Sequence, residues 1–440
     1  MASIYVRKTG NDTTGNGTDA TPYLTINKAL IAAVAGDEIL VGAGTYAESS
    51  SAGYLSVSLK YTGRVTIRPE TGVLGDVIVT GTSASAQWAV IFSGANTRWE
   101  SIVFGAQSDA VAPVRFLAGT AAAPVTNIEF TRCRFLGRGA FLVGTAWTGA
   151  TDRVNGIRFR GCEFVSTGSG STAAIVLIRG HADGAVSDVE ISHCNMRVSG
   201  RAVQVQGVTN LRVFNNDAIS DHATGTATAF QMGVDGATGF STSGLVMGNR
   251  FESTRGHALV VGAGCDGVLV AGNTVIGGDT AGTGQGIVIK EAANVRIDRN
   301  IVYGGYHSAL YFKAAVDCQA VDNVVYSAFA SADALRVEYN IESSNPNQRV
   351  TARRNTIVAS AGRCINWGTT QHDSGGSICD ENVYAISGTG ELGSVRGTTV
   401  TTLRGIRAAW AAYSRPNNDR NSRTGIKEAT FGGSPVVGVI

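Results

Sequence analysis

Four short runs of this chain, GIVIK ending at Lys290, ALYFK ending at Lys313, ALRVE ending at Glu338 and CINWG ending at Gly368, share one alternation of apolar and polar positions. Set in register, they put Val288, Tyr311, Arg336 and Asn366 at one slot and Lys290, Lys313, Glu338 and Gly368 at another. An earlier series, AVQVQ, AFQMG and ALVVG, adds Gln204, Gln231 and Val260 to the first slot and Gln206, Gly233 and Gly262 to the second. Amides, a tyrosine and mixed charges beside low glycines suit a ligand rich in hydroxyls and apolar ring faces, which is a glycan. The same groups could do chemistry on one. β-Elimination at a uronate needs a cation to neutralise the carboxylate and a base beside the C5 proton, roles open to Lys313, Arg336 and Tyr311. Hydrolysis of a glycosidic bond needs two carboxylates, about 5 Å apart for retention and about 6.5–9.5 Å for inversion. Glu291 and Glu338 sit two repeats apart, which at about 4.8 Å per stacked strand borders on the inverting range. The catalytic candidates are therefore Glu338, Lys313, Arg336 and Tyr311. The substrate-binding candidates are Gln204, Gln206, Gln231, Lys290, Glu291 and Asn366. The plain alternative is a row of exposed charges in which a Lys–Glu pair contributes little.

Other chemistries find less support. The six histidines, His181, His193, His222, His257, His307 and His372, fall at turns, with His257 and His307 just before the runs above. There is no HExxH or CxxC spacing for zinc, and no GxSxG elbow or phosphate-binding loop. GTGQG at Gly282–Gly286 reads as a glycine-rich turn. The loop Asn11–Asp19 superficially resembles a calcium loop but lacks the spaced acids and closing glutamate, so Ca²⁺ has no support and no metal is expected. Arg132, Arg134, Arg138, Arg153, Arg158 and Arg160 predict a modestly basic outer face.

The elements that must position these residues come from a repeat. Apolar residues five before, three before and two after an asparagine recur at Asn216, Asn249, Asn273, Asn300, Asn323, Asn355 and Asn382. Earlier copies carry Cys133, Cys162 and Cys194 at the same slot, and fainter ones Glu70 and Ile102, with a mean spacing of about 28 residues. Short alternating strands at this spacing, without hairpin turns, predict a solenoid of about twelve coils. Asparagine tolerates a left-handed corner and can bond its counterpart one coil away, while buried cysteine would fill a corner as a small apolar group. Helical spacing of Ile26, Ala29, Leu30, Ala33 and Val34, stopped at Gly36, predicts one capping helix. Leu403, Ile406, Ala409, Trp410 and Tyr413 predict another. The expected organisation is a capping module over 1–48, the solenoid over 49–400, and a capping helix with an irregular tail over 401–440.

Of 440 residues, 43% are hydrophobic and 16% charged, with a net charge of +2. That balance predicts an ordered chain with a large core and no nucleic-acid partner. No run of 18 apolar residues exists, so no membrane partner is expected, and the N-terminus lacks a signal-peptide core. The seven cysteines read as reduced core residues.

The stretch from Ile4, IYVRKTGNDTTGNGTDATPYLTINKALIAAVAGDEILVGAGTYAE, resembles the N-terminal module of the right-handed parallel β-helix superfamily, which includes pectate lyases and phage tailspikes. The resemblance is carried by Tyr23–Ala35 and Gly36–Tyr46, and the asparagine and cysteine repeats extend it over nearly the whole chain. It implies an all-β, right-handed parallel β-helix. It also implies two functional expectations. One is a tailspike-like virion or surface-fibre protein, a homotrimer held by other virion proteins, which contacts a host glycan or receptor and possesses or lacks depolymerase activity. The other is a polysaccharide lyase or glycoside hydrolase acting on an acidic polysaccharide.

Overall fold

The computed structural model describes residues 1–48, 55–81, 88–105, 112–117, 124–137, 143–146, 153–166, 174–179, 186–221, 228–233, 242–278, 284–338, 347–368, 376–386, 389, 391–395, 398–412, 422–424, 428–431 and 434–437. It contains two compact units, Met1–Ala218 and Ile219–Ile440. Each is a parallel β-helix in which the chain visits three parallel sheets in turn, with the right-handed crossovers that twisted parallel strands impose.

One coil of the second unit shows the plan. Arg296–Asp298 lies in the first sheet, Ile301–Tyr303 in the second and Ser308–Lys313 in the third, and Gln319–Val321 then returns beside Arg296–Asp298. The asparagine read in the sequence as a corner residue does lie between two strands, Arg296–Asp298 and Ile301–Tyr303 in this coil. Three residues after the asparagine are enough for the second strand because its pairing partners are supplied by the coils above and below. The anchor asparagine is not itself the left-handed residue. That conformation belongs to the residue before it, Gly248, Gly272, Arg299, Asp322, Arg354 and Glu381 in successive coils, with φ of 66°, 60°, 51°, 57°, 53° and 58°.

What the asparagine supplies is a ladder. Asn249, Asn273, Asn300, Asn323 and Asn355 each donate an amide N–H to the side-chain oxygen of the next member, at 2.9, 2.9, 3.0, 2.9 and 3.0 Å, the last bond ending on Asn382. Each oxygen also accepts the backbone N–H of the asparagine below it, and the other amide proton goes to a strand carbonyl, as from Asn273 to Val246 at 2.9 Å. Every polar atom of a fully buried amide is thereby satisfied, which is the condition for burying it.

In the first unit the corner ends in an amide, Asn216, whose oxygen accepts Cys194 N at 2.8 Å, but the three corners before it are apolar. Cys133, Cys162 and Cys194 are buried there and donate weakly to the carbonyls of Trp99, Phe130 and Phe159 at 3.2, 3.4 and 3.6 Å. All seven cysteines are free and buried. Alternation along each strand sends phenylalanines inward, where Phe104, Phe135 and Phe164 stack at 5.3 and 4.7 Å and Phe130 stacks on Phe159 at 5.2 Å. Outward on the first sheet, Arg98, Glu129, Arg158, Glu190 and Arg212 succeed one another in register. The expected basic face is therefore corrected to an alternating one. Arg134 meets Glu163 at 2.5 Å, and Arg160 meets Glu190 at 2.7 Å and Glu129 at 3.2 Å. Arg138 lies outside the described residues.

Both predicted helices form. The first, α1 (Ile26–Ala32), is capped by Thr25, whose hydroxyl accepts from Lys28 N at 3.1 Å, and buries Ile26, Ala29 and Leu30. Val34 falls beyond its end and is 63% exposed, because Ala33 has already left the helix. The Glu48 carboxylate receives the N–H groups of Ile26 and Asn27. The second, α2 (Leu403–Ala412), buries Ile406 and Ala409, while Tyr413 lies outside the described residues. Before it, Thr398–Val400 runs antiparallel to Glu391–Val395 and so ends the parallel run of the third sheet. The tail expected to be irregular contains an antiparallel strand pair, Glu428–Phe431 with Ser434–Val437.

Candidate functional site on the third sheet of the second unit

The third sheet of the second unit orders His257–Val261, Gln285–Lys290, Ser308–Lys313, Asp333–Glu338 and Arg363–Trp367 side by side. Its register aligns Val260, Val288, Tyr311, Arg336 and Asn366 in one row. Lys290, Lys313 and Glu338 form the next. Leu310, Phe312, Leu335 and Val337 alternate with them into the core. The rows are those read from the sequence, but the first is not an open groove. Val260, Val288 and Tyr311 are 5%, 4% and 7% exposed and make a small apolar cluster of their own. Side chains close over it: the Arg336 guanidinium lies 5.4 Å above the Tyr311 ring and the His307 ring stands 6.3 Å away.

Polar groups gather around that cover. Asp333 is fully buried and receives Arg363 Nε at 2.7 Å and Asn366 Nδ2 at 2.9 Å, with Arg336 Nη1 at 3.8 Å. Arg336 Nη2 grips Glu338 Oε2 at 2.6 Å, and Tyr311 Oη donates to the same oxygen at 2.9 Å. Arg336 Nη1 is 3.1 and 3.2 Å from the two ring nitrogens of His307. A nitrogen equidistant from both cannot lie along either lone pair, so the guanidinium rests on the imidazole rather than bonding one end of it. Gln285 Nε2 stands 3.4 Å from His307 Nδ1.

These surroundings set protonation. Burial first, and the Arg336 charge second, hold His307 below its ordinary value of 6.5, so it is a neutral base at pH 7. Burial and the Glu338 carboxylate push the Tyr311 phenol well above its ordinary value, so it carries its proton. Arg336 is already shared between two carboxylates. Among the described residues no hydrogen bond or ion pair engages the ammonium of the half-buried Lys313, which sits in register beside Glu338.

Of the sequence candidates, Tyr311, Arg336, Glu338, Asn366 and Lys313 come together here, and Lys290 is one strand away. Glu291 does not join them in a row: it occupies a left-handed corner beyond the strand, φ 55°, its N–H bonded to Lys313 O at 2.9 Å. Glu291 and Glu338 are thus not two carboxylates of one face. Gln231 is 6% exposed beside Val260. Gln204 and Gln206 belong to the first unit and are buried on the strand Arg201–Gln206, with Gln204 Oε1 accepting from Arg201 at 2.8 Å. His181, His222 and His372 lie outside the described residues.

His307, which the sequence places at a turn just before its run, lies at the edge of this cluster, whereas Asp333 and Arg363 are not singled out by the sequence pattern. The signal available was a polar residue at the start of successive runs, His257, Gln285, Ser308, Asp333 and Arg363, which pair in one row. The glycine-rich turn also has a use. A Cβ at Gly284 would fall 1.8 Å from Gly278 O, and one at Gly305 2.1 Å from the same oxygen. Only bare backbone lets these segments lie together, and Gly284 O then accepts His307 N at 2.9 Å.

The turns of parallel strands and the corner ladders define a parallel β-helix protein. Residues 8–87 match a family described as a protein of unknown function, DUF1565. No curated protein matches. Among solved structures, a periplasmic alginate epimerase is similar at 11% identity and a TM-score of 0.49, over 83% of this chain and 83% of that one. A mannuronic-acid-specific family 6 polysaccharide lyase from the human gut microbiota is similar at 12% identity and 0.48, over 88% and 87%. The GH136 lacto-N-biosidase from Eubacterium ramulus is similar at 10% identity and 0.42, over 97% and 68%.

Proposed function

We propose that the second unit is an enzyme acting on an acidic polysaccharide by removing a proton from a uronate residue. The observation that carries this reading is a neutral His307 held against Arg336, beside a protonated Tyr311 and the cationic Lys313. His307 takes the C5 proton. Lys313, rather than the already neutralised Arg336, meets the substrate carboxylate as it gains charge. Once Arg336 swings off its ring and the bond to Glu338 is given up, Tyr311 passes its proton to O4 as the C4–O4 bond breaks and the C4–C5 double bond forms, or to C5 from the opposite face. The first course is elimination and the second epimerisation. Glycoside hydrolysis is less well served, because Asp333 is sealed from substrate and Glu291 is off the face. A tailspike-like fibre carrying the same groups would use them as a depolymerase, so the virion expectation leads to the same residues.

The test is incubation with a panel of uronate polymers, following ultraviolet absorbance of unsaturated ends, reducing ends, and C5 configuration by NMR. His307→Ala is expected to lower turnover by about 10²–10⁴-fold, the usual worth of a positioned base. Turnover that survives both His307→Ala and Tyr311→Phe unchanged overturns the assignment.

A further inference from the structure

Two coils of the second unit carry aromatic rings that the reaction above does not use. On the outer side of the second sheet, Ile276, Tyr303, Tyr326 and Val358 align in register. Tyr303 and Tyr326 meet edge to face, with centroids 6.1 Å apart and planes at 69°. In the segments that lead from this sheet to the third, Tyr306 and Phe329 repeat the pairing at 6.0 Å and 50°. All four rings are only half-buried, and Ile301 and Val324 beside them are 38% and 37% exposed. The corresponding outward position one coil earlier than Ile276 is Glu252, so the aromatic character is local to these rungs.

The location is specific. Tyr306 immediately precedes His307, and Phe329 lies four residues before Asp333. The two segments are tied together: Ser331 Oγ donates to Tyr306 O at 3.4 Å and Asp333 N to His307 O at 3.2 Å. Thus the segments that present the rings are those that hold the base and the buried carboxylate. Rings left half in water are costly unless something covers them. A pyranose offers an apolar C–H face of matching size, and stacking of this kind is indifferent to the charge that Lys313 would read.

We propose that Tyr303, Tyr306, Tyr326 and Phe329 form a carbohydrate-binding platform that holds a sugar polymer beyond the residue being processed. The proposal rests on the reading of the third-sheet cluster as a polysaccharide site, and it adds where the rest of the polymer lies.

The experiment compares the full chain with Tyr306→Ala/Phe329→Ala and Tyr303→Ala/Tyr326→Ala. KM and kcat are measured on a long uronate polymer and on a short uronate oligosaccharide, retardation in polymer-containing gels is measured independently of turnover, and light scattering gives the oligomeric state. The expected result is a polymer KM raised about tenfold with kcat and the short substrate unchanged, and weaker retardation. A tenfold change corresponds to about 1.4 kcal/mol of lost binding. Tyr306→Phe keeps the ring and retains binding, which separates lost stacking from misfolding. Unchanged retardation, equal losses on short and long substrates, or a shift in oligomeric state without one in glycan binding would overturn the platform. Failure of the reaction alone reads differently: no turnover by the parent chain, yet retardation that the ring variants lose.

Discussion

The two units solve one geometric problem with opposite materials. Each coil must turn a corner between its first and second sheets, and each leaves one residue's side chain pointing into that corner. The first unit fills three successive corners with thiols and packs phenylalanines behind them before Asn216 brings in the first amide. The second fills its corners with amides that bond one another. Thiols also meet the thiols of adjacent coils, Cys162 touching both Cys133 and Cys194, but such contacts are weak and cost little to lose. Amides need the coil above and the coil below, so the second unit's corner is a chain of mutual dependence. The polar cluster of the candidate site occurs in the unit whose corners bury a run of mutually bonded amides.

The contrast can be broken most severely in the first unit. Phe130 touches Phe92, Phe104, Phe116, Phe135 and Phe159 with centroids 5.2–6.2 Å away. Phe130→Ala is expected to destabilise that unit by about 3–5 kcal/mol, measured by denaturant unfolding. Next comes Asn300→Ala, which orphans the backbone and side-chain N–H groups of Asn273 and the side-chain oxygen's place in the ladder. A loss of about 2–4 kcal/mol in the second unit is expected, with faster amide exchange at Asn273 than at Asn382. Equal protection along the ladder would show that its members are independent after all.

Glu48 gives a smaller, pH-dependent effect. Burial raises its carboxyl to about 7, against the opposing N–H groups of Ile26 and Asn27. A folded pKa above the unfolded 4.5 means that its favourable contribution is complete below about 4.5 and fades as pH rises through 7. Glu48→Gln should therefore stabilise the start of α1 by about 2 kcal/mol at pH 8 and change little at pH 4, read from amide exchange at Ile26. The smallest effect sharpens the comparison: Cys162→Ala in the first unit should cost only about 1–2 kcal/mol, because its thiol contacts to Cys133 and Cys194 are weak and little volume is lost.

The sequence made much of this legible, and for a physical reason. Register in a stacked sheet is set by alternation, so Tyr311, Arg336 and Asn366 could be aligned from spacing alone. The corner anchors were equally visible because, from Cys133 onward, the slot keeps to buried Cys or Asn. The left-handed residue before each anchor was hidden, since Arg299, Asp322 and Glu381 share no chemistry, only a backbone angle. Asp333 was hidden because a charge at a strand start reads as a solvated turn. Its burial depends on Arg363 and Asn366, which arrive from the next coil. Spacing also puts Arg336 beside Tyr311 but does not show that its guanidinium folds over the ring.

The final rung of the amide chain has an acceptor from elsewhere. Asn382 N donates to Ser422 Oγ at 2.9 Å, forty positions further along. That hydroxyl works as an end stop. Cutting the polypeptide ahead of Ser422 would leave the last rung open to water, and fraying could then travel backward, one asparagine at a time, toward the rungs that carry His307.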